Sequence, residues 1–183
     1  MRETDWARLF HAYGAATDTP RHLAALRAGR EAEVAAALEH LNGSIVHQGT
    51  PWPATPPAVR RVAELLAGEH PAGARSALLG FLRYAAEAAP GPAEAEECRA
   101  RAFPADGAAI DAWEEAWANA DEEEQEALWD GEMADLAVLR AAVGVFDALP
   151  AVHAARFADP RVAVVHVRAV EYGCFLFEAV RTP

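Results

Sequence analysis

The residues best suited to chemistry lie in the stretch HLNGSIVHQGTPWPATPP, which runs from His40 to Pro57. His47, Gln48 and Trp52 stand close together within it. An imidazole that donates and accepts hydrogen bonds, beside an amide and an indole, can line a pocket for a small molecule or a peptide. These three residues are therefore the predicted ligand-binding residues.

Catalysis at this stretch would require a histidine with a second polar group within hydrogen-bond reach. The candidate catalytic residues are His47, His11 and Tyr172, and Tyr13 is a further companion. Each of these residue types is also common in cores and on surfaces, and their spacing does not show which of them meet.

The same stretch has the composition of a connector between two helices. If one helix ends near His47, Gly49 can take the left-handed conformation that closes it, and the prolines that follow stop its continuation. Thr55 can then cap the next helix, with Pro56 in the first turn, where no N–H donor is needed. Turn chemistry accounts for most of the motif, but not for the combination of His47, Gln48 and Trp52, so both interpretations stay open.

Motifs for metals and cofactors are absent from the sequence. It contains no glycine-rich nucleotide loop, no HExxH and no GxSxG. Cys98 and Cys174 are far apart and lack CxxC spacing, and His153 and His166 are too far apart for a pair on one helical turn. The consecutive acids of the chain lack the spacing and central glycine of a calcium loop. We therefore expect no metal ion and no cofactor.

The whole net charge of −12 falls in one segment, 102–139, which has twelve acids and no base. The other sixteen acids equal in number the sixteen basic residues, all of which are arginine. Carboxylates can steer a basic protein segment to such a surface, and an exposed indole offers a cation–π face. The predicted partner-binding residues are Trp113, Glu114, Trp117, Glu122, Glu123 and Glu124. The alternative is a solvated surface whose tryptophans turn inward to the core.

Helix start and stop signals occur along most of the chain. A proline- and glycine-rich stretch, 90–106, predicts a long loop or an insertion. The run VAVVHV is β-branched, but a helix is preferred there because no other segment offers a strand partner. Helices are predicted from Thr4 to Tyr13, from Thr19 to Gly29, from Glu31 through Ile45, from Pro56 to Gly68, around Leu78 to Ala85, around Ile110 to Trp117, from Leu136 to about Pro150, and from Pro160 to about Tyr172.

Two phrases of the sequence resemble known repeats. ADPRVAVVHVRAVEYG resembles the second-helix signature of HEAT-type repeats, with an Asp-Pro turn before Val-Arg and small apolar residues. AALEHLNGSIVHQGTPWPATPPAVRRVAELL resembles the first repeat of small bacterial HEAT-like proteins with an HQGT-aromatic-Pro-Ala connector. The resemblance implies one all-α domain over residues 1–183, a short α-solenoid of about three helical hairpins with an acidic insertion at 90–130. It also implies a binding scaffold, by analogy with other such folds.

Composition narrows the function classes. The sequence has no long uninterrupted apolar run and no secretory signal at its start, so we expect a cytoplasmic protein with no membrane partner. A net charge of −12 without clustered arginines opposes nucleic-acid binding. The first expectation is a protein-binding or scaffold module that presents the acidic, tryptophan-bearing surface to a protein partner. A small enzyme with a pocket under the 47–52 connector is the alternative, and a HEAT-like DNA glycosylase is a remote one.

Overall fold

The computed structural model describes residues 4–68, 73–157, 164–169 and 174–180. Within these ranges the chain forms eight α-helices and three antiparallel pairs of strands, and it is predominantly helical, as predicted. The helices are α1 (Thr19–Ala28), α2 (Glu31–His40), α3 (Thr55–Ala67), α4 (Ala74–Glu87), α5 (Ala95–Ala102), α6 (Ala108–Asn119), α7 (Glu122–Leu128) and α8 (Gly131–Phe157). The strands are β1 (Phe10–His11), β2 (Gly14–Ala15), β3 (Val46–His47), β4 (Thr50–Pro51), β5 (Val164–Ala169) and β6 (Cys174–Val180).

Several helices begin and end at the predicted signals. Helix α1 begins at Thr19 with proline in its first turn, and Gly29 follows its last residue. Helix α3 begins at Thr55 with two prolines and is followed by Gly68. The predicted cap by Thr55 is wrong, because Thr55 is already the first helical residue and makes no side-chain cap hydrogen bond. The apolar face predicted from Glu31 through Ile45 is also formed, but the α-helix stops at His40 and the next five residues make a π-helical turn.

The predicted first helix, from Thr4 to Tyr13, is wrong. A short 3-10 turn at Trp6–Arg8 is followed by the β1–β2 hairpin, in which Phe10 pairs with Ala15 and His11 with Gly14. The backbone of Gly14 has a φ of +111°, a value that glycine reaches at little cost. The extended backbone turns both Phe10 and His11 inward, so tertiary burial outweighs the local helical signals.

Three predictions in the second half of the chain also need correction. The predicted loop at 90–106 contains helix α5, because its prolines and glycines flank the helix instead of interrupting it. Helix α8 passes through Pro150, the predicted end, and continues to Phe157. The described part of the run VAVVHV, from Val164 onward, lies in strand β5, which pairs with β6. The described part of the HEAT-type second-helix signature is therefore not helical.

Helix α8 lies at the centre of the packing. It runs along α3 and also contacts α4, α5 and α6. A main apolar core is drawn from α1 to α4 and α8, and a smaller second core surrounds Phe10, Ile110, Ala118 and Ala137. The second core joins the N-terminal hairpin and the connector to the acidic half of the chain.

One helical segment of the described chain, Gly131–Ala155 in α8, is long and apolar enough to cross a membrane by length and composition alone. The same test is passed by core helices of soluble proteins, and this helix packs against four others. Length and composition alone therefore do not show that this helix spans a membrane.

Candidate functional site

The connector between α2 and α3 is built from turn chemistry. After the π-helical turn, strands β3 and β4 form a hairpin with Gln48 and Gly49 at its tip, where φ is +51° and +82°. Two consecutive positive φ values are typical of the two-residue turns that fit twisted strands. The left-handed conformation predicted for Gly49 is confirmed, although it closes a hairpin and not a helix. Thr55 Oγ1 accepts from the Trp52 N–H at 2.8 Å and donates to the Ile45 carbonyl, which ties the two ends of the connector together.

The three predicted ligand-binding residues contact different neighbours. Gln48 is exposed at the tip of the hairpin. His47 donates from Nδ1 to the Gly43 carbonyl at 2.8 Å. Trp52 packs in the second core with its ring centre 6.0 Å from that of Phe10, and its Nε1 is buried without a hydrogen-bond partner among the described residues. The structure therefore does not bring these side chains together.

A different group of polar residues is brought together beside the connector. We call His11, Asp18, His22 and His40 the histidine cluster. His11 Nε2 lies 3.1 Å from Asp18 Oδ1, and His40 Nδ1 lies 3.7 Å from Asp18 Oδ2. His11 and His40 are only 5% and 7% exposed. Buried imidazoles around a carboxylate are costly to bury unless they pair, and such groups are concentrated at functional sites.

Hydrogen bonds determine where the protons of the histidine cluster lie. The Tyr13 backbone N–H donates to His11 Nδ1 at 3.1 Å, so the ring hydrogen of neutral His11 is on Nε2, facing Asp18. Thr19 Oγ1 is 3.0 Å from His40 Nε2, and both groups are buried. Thr19 begins α1, so this bond also joins α1 to α2.

Burial sets the charge state of the histidine cluster. Burial lowers the pKa of His40 to about 4, against the attraction of Asp18, so His40 is neutral at neutral pH. Burial, with the charge of Arg21, also lowers the pKa of His22. Burial alone would raise the pKa of Asp18, but the hydrogen bond with His11 and the attraction of His40 and His11 in their protonated forms outweigh it. The pKa is therefore lowered and the carboxylate is ionised at neutral pH.

A row of rings extends from the histidine cluster to the surface. The rings of His22 and His40 are stacked with centres 4.2 Å apart, and His11 lies 5.2 Å from His40. Tyr13, which is 68% exposed, follows at 6.4 Å from His11 and 5.3 Å from His47. The candidate catalytic residues His11 and His47 do not contact each other, but the hydroxyl of the companion residue Tyr13 lies 3.3 Å from His47 Nδ1, within hydrogen-bond reach. The third candidate, Tyr172, lies outside the described residues.

The sequence analysis missed the histidine cluster because its members come from separate elements. His11 is in β1, Asp18 ends a 3-10 turn, His22 is in α1 and His40 ends α2. No spacing rule for metals or catalysis covers such a set. The available signal was compositional, since four of the seven histidines lie between residues 11 and 47.

The acidic segment forms an exposed surface over α6, α7 and the start of α8, which we call the acidic face. Ten of the twelve acids in 102–139 are exposed. Glu114 is half-buried, and the side chain of Glu122 is not among those described. Asp121 and Glu124 cap α7 reciprocally through their side chains, so part of the acidity serves the start of a helix. The predicted binding residues Glu123 and Glu124 are exposed.

The tryptophans of the acidic segment divide into two kinds. Trp113 and Trp117 are partly buried in the second core, with ring centres 6.1 and 6.0 Å from Phe10. Trp113 Nε1 also donates to the Leu128 carbonyl at 3.0 Å. These two residues therefore turn inward, as in the alternative interpretation, in which the tryptophans of the segment face the core. The exposed indole is Trp129, 59% exposed and packed edge-on against Trp117.

Arg140 of α8 forms ion pairs with two acids of α6, beneath the acidic face. Its Nη1 donates to Asp111 at 2.6 Å and to Glu114 at 3.1 Å, and its Nε donates to the Ala102 carbonyl at 2.8 Å. Burial raises the pKa of Glu114, and the Arg140 charge and hydrogen bond partly offset the rise. The guanidinium is thus the counter-charge that allows Glu114 to lie half-buried.

Replacing Arg140 with methionine is expected to lower the free energy of unfolding by about 2 kcal/mol. Exposed ion pairs contribute at most about 1 kcal/mol, and disruption of a buried pair costs about 3–5 kcal/mol. The expected loss lies between these values because Arg140 is mostly buried while its partners are partly exposed. Urea denaturation provides the measurement. Arg99→Met is the control, because Arg99 pairs with Asp147 where both side chains are partly exposed, and it should cost less than about 1 kcal/mol. Similar losses for both variants would contradict the role given to Arg140.

Comparisons with protein-family models, with curated proteins and with solved structures found no match to this chain. The resemblance to HEAT-type repeats therefore rests on the residues alone. Its coarse implication, a mostly helical chain compatible with a helical-repeat fold, is confirmed. The solenoid arrangement and the single domain stay predictions.

Proposed function

We propose that this chain is a protein-binding module of the HEAT-like type, whose acidic face receives a basic segment of a partner protein. The observation that carries the proposal is the shortage of counter-charges on that face. In the described part of the chain, only Arg8 and Arg140 form ion pairs with acids of the segment 102–139. Exposed carboxylates without neighbouring cations attract a cationic partner and raise its association rate.

Trp129 supplies a contact that can retain the partner after electrostatic attraction has brought it in. Its indole is exposed, and acids precede and follow it in the chain. An arginine or lysine of the partner can place its cation over this ring while its charge meets the carboxylates. Aromatic residues of this kind are enriched among the residues that dominate binding energies.

The phrase that resembles a first repeat forms two helices, α2 and α3, but a π-helical turn and the β3–β4 hairpin separate them. Helix α2 packs mainly against α1, and helix α3 packs mainly against α8, so the HEAT-like part of the proposal rests on the sequence phrase and on the helical content. Because Gln48 is exposed and Trp52 is packed, the connector favours a structural role over an enzyme pocket at that place. The exposed charged surface therefore supports a binding function, and the connector offers less support for an enzyme.

A short arginine-rich peptide tests the acidic face directly. We expect it to quench Trp129 fluorescence and to bind more weakly as salt rises, since screening acts within about 10 Å at 0.1 M. The face variant changes Glu123, Glu126 and Glu132 to glutamine, all exposed and without an ion pair in the described chain. It should bind about tenfold more weakly, because each exposed pair contributes up to about 1 kcal/mol.

A charge-matched control separates docking from net charge. The control variant changes Glu39, Glu96 and Glu97, which are exposed outside the acidic segment, to glutamine. It should bind the peptide as the wild type does. Equal weakening in both variants would show that the peptide responds only to net charge, and the proposal would fail. A pull-down from native lysate should then return a partner that the face variant loses and the control variant keeps.

A further inference from the structure

We propose that His11, Asp18 and His40 form a binding site for a divalent transition-metal ion of the zinc class. Each residue offers one ligand atom, and the three atoms all lie within 4.8 Å of one another. The site involves β1, the turn that ends at Asp18, and α2, none of which belongs to the acidic face. It is therefore independent of the proposed partner binding.

The separations between the candidate ligand atoms are close to those around a bound ion. Metal–ligand bonds of about 2.0–2.1 Å in a tetrahedral site place ligand atoms about 3.3 Å apart. His11 Nε2 lies 3.1 Å from Asp18 Oδ1, which is also a hydrogen-bond distance, and His40 Nδ1 lies 3.7 Å from the other carboxylate oxygen, Oδ2. The longer distance exceeds a hydrogen bond, so a cation bound by the carboxylate would complete the contact between Asp18 and His40.

The chemistry of the donors indicates which ion would bind. Two imidazoles and one carboxylate are typical of zinc and related divalent ions, whereas calcium and magnesium prefer oxygen ligands alone. Three protein ligands leave a coordination position for water or for a bound molecule, as in catalytic zinc sites. The Asp18 side chain is 36% exposed, which gives an ion a route from solvent.

Thr19 acts as a positioning residue for this site. Its Oγ1 engages His40 Nε2 at 3.0 Å, which leaves His40 Nδ1 as the nitrogen that faces Asp18. In metal-binding histidines the N–H of the other ring nitrogen usually donates to a neighbouring oxygen in this way, which orients the ring and selects the tautomer. The stacked ring of His22 further restrains the ring of His40.

His11 must change its hydrogen bonding when an ion binds. In the hydrogen-bond arrangement of the structure the His11 ring hydrogen lies on Nε2, between the ring and Asp18, and Nδ1 accepts from the Tyr13 N–H. Coordination through Nε2 requires the ring hydrogen to move to Nδ1, so the Tyr13 N–H has to turn to water. Tyr13 lies in an exposed turn, where this exchange is feasible, but its cost leads us to expect micromolar rather than nanomolar affinity.

The test uses the full chain, free of any affinity tag and treated with chelator before titration. Zn²⁺ binding is measured by calorimetry, and Co²⁺ binding by the visible absorption that reports its coordination. We expect one ion per chain. Asp18→Asn and His40→Gln should each weaken Zn²⁺ binding by at least about 100-fold, because loss of a residue that only orients a metal ligand already costs about 10–100-fold. Thr19→Val should weaken binding by about 10–100-fold, since Thr19 orients His40.

His153→Gln is the control, since it removes a histidine of α8 that is not part of the histidine cluster. It should bind Zn²⁺ as the wild type does, and circular dichroism shows whether each variant is folded. No saturable binding by the wild type would overturn the proposal and leave a hydrogen-bond network that joins β1, α1 and α2. Binding retained in folded Asp18→Asn, or lost equally in His153→Gln, would overturn it as well. None of these outcomes affects the peptide test of the acidic face.

Discussion

Replacing Phe10 with alanine is expected to lower the free energy of unfolding by about 3–5 kcal/mol. Phe10 is completely buried, and its ring centre lies 6.0–6.1 Å from those of Trp52, Trp113 and Trp117. Alanine would leave a cavity between three rigid indoles, which cannot collapse to fill it. Urea denaturation followed by tryptophan fluorescence measures the loss, and circular dichroism shows whether the helices melt in the same transition.

Phe103→Ala is the matched control for this prediction. Phe103 is 53% exposed, and its recorded ring contact is with the Arg140 guanidinium, 5.2 Å away. Loss of an exposed cation–π contact should cost no more than about 1 kcal/mol. If the two phenylalanines contribute equally to stability, the second core does not hold the N-terminal hairpin against α6.

The Phe10 contacts also explain how the acidic face is held in place. Helix α6 is polar on its outer side, and its buried residues Ile110 and Ala118 give it little apolar surface of its own. The indoles of Trp113 and Trp117 supply the rest of the apolar surface by which α6 packs against Phe10. The acidic face therefore depends on a residue about a hundred positions earlier in the chain, which no local pattern could indicate.

Helices with strong end signals were predictable from the sequence. The bounds of α1 and α3 follow the signals Thr19-Pro20 with Gly29 and Thr55-Pro56 with Gly68 to within a residue. The prolines act in the first turn as expected, but the threonine hydroxyls bond other parts of the fold and do not cap their helices. The predicted end at Pro150 failed for a complementary reason. Proline removes one N–H donor, and the packing of α8 against its neighbours outweighs that loss.

Strands were harder to predict because each depends on a partner. Phe10 and His11 belong to a strand only through the pairing with Gly14 and Ala15. The run VAVVHV has strand propensity, and the segment CFLFEAV is the partner that stabilises its described part as a strand. Strand propensity depends strongly on context, so the run by itself does not indicate whether it forms a helix or a strand.

The two parts of the candidate site differed in how much the sequence could reveal. The acidic segment could be found by counting charged residues in the sequence, and most of its acids are exposed in the structure. The histidine cluster was invisible, because His11, Asp18 and His40 meet only after the hairpin, the 3-10 turn and α2 have packed together. The exposed tryptophan is Trp129, whereas the helical spacing in the sequence points to Trp113 and Trp117.

Replacing Gly144 with alanine is expected to destabilise the protein by about 1–3 kcal/mol, although alanine normally stabilises a helix interior by about 1 kcal/mol over glycine. A Cβ at Gly144 would lie 2.6 Å from Cγ and 3.0 Å from Cβ of Pro56. The proline ring cannot rotate away, so α8 would have to move off α3, the helix it follows most closely. The midpoint of urea denaturation should therefore fall.

Gly80→Ala is the control of opposite sign. Gly80 lies within α4, and a Cβ there would meet nothing within 4 Å, so alanine should stabilise by up to about 1 kcal/mol. Pro56→Ala should in turn relieve the clash, so the double variant should be more stable than the sum of the single changes predicts, as expected for residues in contact. If Gly144→Ala stabilises the protein as Gly80→Ala does, α8 does not approach the start of α3 as closely as this contact requires. The two central helices would then be farther apart at this point than the structure places them.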